Sequence, residues 1–93
     1  MDSTRLFDEL VAVARKLGVA VRLEPLSTVV TTGGGLCTLG GRTLVLIDLQ
    51  APLSARVEVL ARALARLETD EVYMTPEARD IVTLHQASAS GNP

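Results

Sequence analysis

Few side chains in this chain could do chemistry, and the first to consider are Cys37 and His85, its one cysteine and one histidine. A thiol becomes a nucleophile when an imidazole within hydrogen-bond reach takes its proton and a third group orients the ring. Nothing in the spacing supplies that third group. Cys37 falls in an apolar run, where a buried and inert thiol is the ordinary outcome. Asp48 closes the run Leu44-Val45-Leu46-Ile47 and could act as an acid or base, but an aspartate at a strand end commonly caps the loop that follows. Gly33-Gly34-Gly35 lacks the Lys-Ser/Thr of a phosphate-binding loop and does not open into a helix. Its missing side chains instead mark a place where another backbone or a helix could approach closely. Arg62 and Arg66, one helical turn apart, could clamp an anion or simply line a solvated helix face. One cysteine and one histidine leave no zinc-binding cluster. We therefore expect no catalytic residue, no bound metal and no cofactor.

These residues must be positioned by a small set of elements. Gly40-Gly41 suits a two-residue hairpin turn, because glycine adopts positive φ without a Cβ clash. Pairing outward from it sets Thr38 opposite Thr43, Cys37 opposite Leu44 and Leu36 opposite Val45. Residues 44–47 then carry large apolar groups on both faces, as expected of a strand covered on two sides. Pro52 opens a helix in which Val57, Leu60, Ala61, Leu64 and Leu67 fall within about 120° of arc, a core-facing stripe. Glu58, Arg62 and Arg66 form a separate line, with Glu58 placed to pair with Arg62.

Upstream, Asp2 or Ser3 caps a helix running to about Leu17, with Gly18 as its stop. Its stripe is Leu6, Leu10, Val13, Ala14 and Leu17. Val19, Val21 and Leu23 alternate with Ala20, Arg22 and Glu24, a half-buried strand ended by Pro25. Residues 27–32 are β-branched and could form another strand. Downstream, Glu68 to Glu71 suits a turn, and Val72-Tyr73-Met74 reads as a short edge strand. Thr75 then caps a last helix with Pro76 at its first position, and Ala78, Ile81, Val82, Leu84 and His85 on its apolar side. The reading is one α+β domain over residues 1–86: an N-terminal helix, a small and mostly antiparallel sheet of three or four strands, and two C-terminal helices. Residues 87–93 read as a flexible tail.

Composition narrows the function. The chain has 93 residues, 47% of them hydrophobic but only 2% aromatic, so the core must be built from Leu, Val and Ala. A net charge of −2 with no basic block argues against nucleic-acid binding, which needs a concentrated positive footprint. No apolar run approaches the ~20 residues of a membrane span. Eight of the nine basic residues are arginine, which suggests a GC-rich bacterial genome, and the default compartment is the cytoplasm. The high apolar share of so short a chain points to association, either with a protein partner or as a homodimer. The candidate surface is the sheet or the last helix around Ile81 and Leu84, with Arg62 and Arg66 as further candidate contacts.

The order of an N-terminal helix, "LGVAVRLEPL", a glycine-bearing segment, "TLVLIDLQAP" and the helix "RVEVLARALARL" resembles the layout of the ImmA/IrrE-like minimal zinc metallopeptidases. There, a comparable helix–strand–hairpin introduction leads into a helix carrying "LAHELGH". The resemblance covers roughly residues 6 to 68 and rests on layout. Arg62 and Arg66 stand where that family has its zinc histidines, and Ala63 stands where it has its glutamate base. A guanidinium cannot shed its proton to bind metal. The resemblance thus implies a zinc-less relative, without protease activity. We predict that the purified protein contains no stoichiometric zinc and that a chelator leaves its melting temperature unchanged. Elemental analysis finding about one zinc per chain would overturn this.

Overall fold

The computed structural model describes residues 2–25 and 34–90, apart from the side chains of 88–90. The element order is α1 (Ser3–Lys16), β1 (Ala20–Glu24), β2 (Gly34–Leu39), β3 (Arg42–Asp48), α2 (Leu53–Leu64) and α3 (Pro76–Ser90), an α+β fold. α1 is closed at both ends by local chemistry. The Asp2 carboxylate accepts a hydrogen bond from the Arg5 N–H at 2.9 Å, occupying a donor that has no helical partner. At the other end Gly18 takes φ +78°, Val19 N–H donates to Ala14 O and Gly18 N–H to Arg15 O. These two bonds satisfy the last carbonyls and turn the chain into β1.

The sheet has the order β1-β3-β2. Gly40 and Gly41 both have positive φ, +60° and +79°, and set β2 antiparallel to β3 in the expected register, Thr38 to Thr43, Cys37 to Leu44 and Leu36 to Val45. β1 pairs with the other edge of β3 and runs parallel to it, from Ala20 beside Leu44 to Glu24 beside Asp48. The sheet is therefore mixed and three-stranded, which corrects the expectation of a mostly antiparallel one. A tight turn forces antiparallel pairing only on the strands it joins. β1 and β3 are not joined directly, so nothing local dictates their direction. The anticipated strand at 27–32 lies outside the described residues.

β3 supplies the sheet's share of the core. Val45 and Ile47 are fully buried and cluster with the helices, joined from the neighbouring strands by Val21, Leu23 and Leu36. α2 lies against β2 and β3 with α1 and α3 beside it. Its buried set, Val57, Val59, Leu60, Ala61, Ala63 and Leu64, is wider than a single stripe because neighbours stand on several sides. The helix ends at Leu64 rather than Leu67. Arg66 and Leu67 donate instead to Ala63 and Leu64, the tighter i→i−3 bonding common in a last turn.

Val72-Tyr73-Met74 is not a strand. Val72 N–H bonds back to Thr69 O, and the Arg79 guanidinium takes Val72 O at 2.7 Å together with Thr69 O and Oγ1. With those groups engaged, Val72 has none left for a ladder. Met74 is buried, whereas Tyr73 is 75% exposed. α3 continues through Ser90, so residues 87–90 are helical rather than tail. Its N-terminus is clamped from a distance. The Thr75 N–H donates to Glu9 Oε2 at 2.6 Å and the Thr75 hydroxyl to Glu9 Oε1 at 2.7 Å, while Thr75 Oγ1 accepts from Ala78 N–H. A carboxylate on α1 thus sits at the positive end of α3.

Two stability predictions follow from this packing. Leu64 is fully buried, so Leu64→Ala should cost about 2–5 kcal/mol in denaturant melts, and a loss under about 1 kcal/mol would contradict its central place. Glu9→Ala removes an ionised acceptor of two hydrogen bonds, and about 1–3 kcal/mol should be lost in the same assay.

Candidate functional site

Strand periodicity divides the sheet into two faces. Val21, Leu23, Leu36, Val45 and Ile47 face the helices. The alternate positions face the other way: Ala20, Arg22 and Glu24 on β1, Leu44 and Leu46 on β3, and Gly35, Cys37 and Leu39 on β2. None of this second set belongs to the helix-packed core cluster. Among the described residues no helix covers this face. Leu44 is nonetheless buried, and Leu46 and Cys37 are half-buried. Leu39, at the edge beside the turn, is 62% exposed.

At the turn end of this face lies a shallow concavity of about 530 Å³, bounded by Ala20, Arg22, Leu39, Arg42 and Leu44. It brings two guanidinium groups next to an apolar floor. Arg22 is already engaged, its NH2 lying 2.7 Å from Glu24 Oε2, and both side chains are well solvated. An exposed pair of this kind contributes at most about 1 kcal/mol. Neither arginine stood out in the sequence. Their convergence depends on Ala20 lying beside Leu44, a pairing between strands far apart in the chain.

The residues singled out from the sequence are dispersed. Cys37 points away from the helices, whereas His85 lies on α3, which packs against α1 and α2, so the sheet stands between thiol and imidazole. Asp48 Oδ1 accepts from the Gln50 N–H at 3.0 Å, a side-chain turn that ends β3. Around the same corner Arg56 donates to Ala51 O and Leu49 O, fixing the approach to α2. At Gly35, nothing lies within 4 Å of where a Cβ would stand, so among the described residues no backbone approaches there. Gly34 is described only as backbone of β2, and Gly33 lies outside the described residues.

Arg62 and Arg66 are exposed, and Ala63 between them is buried against the core. Among the described residues, Glu58 and Arg62 do not close the ion pair that their spacing allows, while Arg22 and Glu24 do. Of the two α3 positions, Ile81 packs partly against the core, whereas Leu84 is 63% exposed. Among the described residues no three His, Cys, Asp or Glu side chains come together as a metal site. No described helix is long and apolar enough to cross a membrane. Compared with models of known protein families, with curated proteins and with solved structures, the chain matches none.

Proposed function

We propose that this chain is a small, non-catalytic interaction domain that binds another protein, or a second copy of itself, through the sheet face turned away from the helices, and that it works in the cytoplasm. One observation carries the reading. Leu39, Cys37, Leu44, Leu46 and Ala20 form a connected apolar set outside the helix-packed core, with charges only at its margins. A central apolar area with a polar rim is the ordinary anatomy of a protein–protein contact. The set is small and lacks aromatic anchors, which suits a modest affinity.

A ligand-binding reading of the Gly33–Asp48 region has one feature in its favour, the concavity between Arg22 and Arg42. Arg22 already holds Glu24, so an anion there would have to displace a neighbouring carboxylate. The apolar set demands no such exchange, and the interaction reading is preferred.

Leu46 lies in the middle of this face and outside the core, so Leu46→Lys should leave the fold intact while placing a charge in the contact. In affinity capture from the native host, proteins held by the unmodified chain should be depleted at least tenfold on the variant. Equal retention by a variant that melts normally would remove the open face from consideration.

A further inference from the structure

The two edges of the sheet differ in a way that selects one of them. β1, the edge beside β3 on one side, carries Arg22 and Glu24 and ends at Pro25. Charged side chains and proline are the usual devices that prevent an edge strand from pairing. β2, the opposite edge, reads Gly-Gly-Leu-Cys-Thr-Leu and has neither. Its free backbone groups can be identified from the ladder. A two-residue turn is flanked by a hydrogen-bonded pair, here Leu39 and Arg42, and such pairs recur at every second position. Gly35, Cys37 and Leu39 therefore spend their backbone groups on β3, and Leu36 and Thr38 aim theirs outward. The other side of β3 agrees, since Leu49 N–H, in phase with Val45 and Ile47, donates to Glu24 on β1. Among the described residues nothing pairs with the outer edge of β2.

We propose that β2 pairs antiparallel with β2 of a second copy about a two-fold axis through Cys37, making one continuous six-stranded sheet. This inference rests on the interaction reading above and names its occupant. The register follows from the side chains. With Cys37 opposite its own copy, Leu36 and Thr38 exchange their outward N–H and C=O groups, giving four hydrogen bonds from the two symmetric pairs. On the open face each Leu39 then lies opposite the other copy's Gly35. Leu39 is 62% exposed, and among the described residues nothing lies within 4 Å of where a Cβ would stand on Gly35, so a projecting side chain meets a vacant position twice over. An arbitrary extended peptide has no reason to match this arrangement, whereas a second copy matches it by symmetry. The two Cys37 residues form a non-hydrogen-bonded pair with Cα atoms about 4.5 Å apart, within disulfide reach.

Sedimentation of the reduced chain across micromolar concentrations, combined with diamide treatment, tests the pairing. Diamide accepts the two electrons and two protons released as two thiols become one disulfide. The unmodified chain should sediment at twice its 9.9 kDa and become covalently linked through Cys37. Thr38→Pro removes an outward N–H without touching the bonds to β3, so it should sediment as a monomer, melt as the unmodified chain does, and cross-link at least tenfold more slowly. Leu39→Lys, at an exposed position, provides a second route to the monomer and should behave in the same way. A dimer that survives Thr38→Pro and cross-links no faster than that variant would overturn the edge pairing while leaving the interaction reading in place. A monomer at every concentration, cross-linking at the rate of Thr38→Pro, would overturn the second copy as occupant.

Discussion

The structure depends on burying α2. Its six buried residues meet α1 and α3 on its flanks and the inner face of β2 and β3 beneath, so nearly every element touches it. Removing a Val or Leu side chain from water contributes roughly 1.5–3 kcal/mol, and four such residues on α2 are buried. No single polar contact among the described residues approaches that sum. The sheet is held to the helices because Val45 and Ile47 need the same shelter, and β3 suits the central position because it carries buried large apolar groups on both faces, Leu44 on one and Val45 and Ile47 on the other. Leu, Val and Ala pack this core almost without aromatic help.

Polar side chains act where the chain leaves regular structure. Glu9 holds the start of α3, Arg79 holds the carbonyls of the 69–72 turn, Arg56 holds those at 49–51, and Asp48 closes the end of β3. Each takes up backbone groups outside the regular ladders, exposed at Asp48 and part-buried at Glu9 and Arg79. These ties lie among the helices and in the loops joining them to the sheet. Among the described residues the outer face of the sheet has none across it, only the solvated Arg22–Glu24 pair at one margin. Among the described residues, the polar ties thus gather around the helices and their loops, away from the outer face of the sheet.

What the amino-acid order determined by itself is local. Asp2 and Gly18 bracket α1, Gly40-Gly41 sets the β2–β3 register to the residue, Pro52 precedes α2, and Thr75-Pro76 starts α3. In each case a cap, a turn or a fixed φ acts within a few residues, so its chemistry can be read without knowing what surrounds it. The tertiary structure decided whatever joins distant positions. β1 runs parallel to β3 because no turn connects them. Arg79 holds Val72 in a turn with Thr69, residues 72–74 do not pair as a strand, and Thr75 is clamped by a glutamate 66 residues away. The candidate site belongs to this second class. Ala20 and Arg22 join the hairpin's residues on one face only once β1 has docked on β3, and Leu39 becomes informative only when Gly35 is seen to be open among the described residues, because periodicity within a strand gives its two faces but not which one the helices will cover.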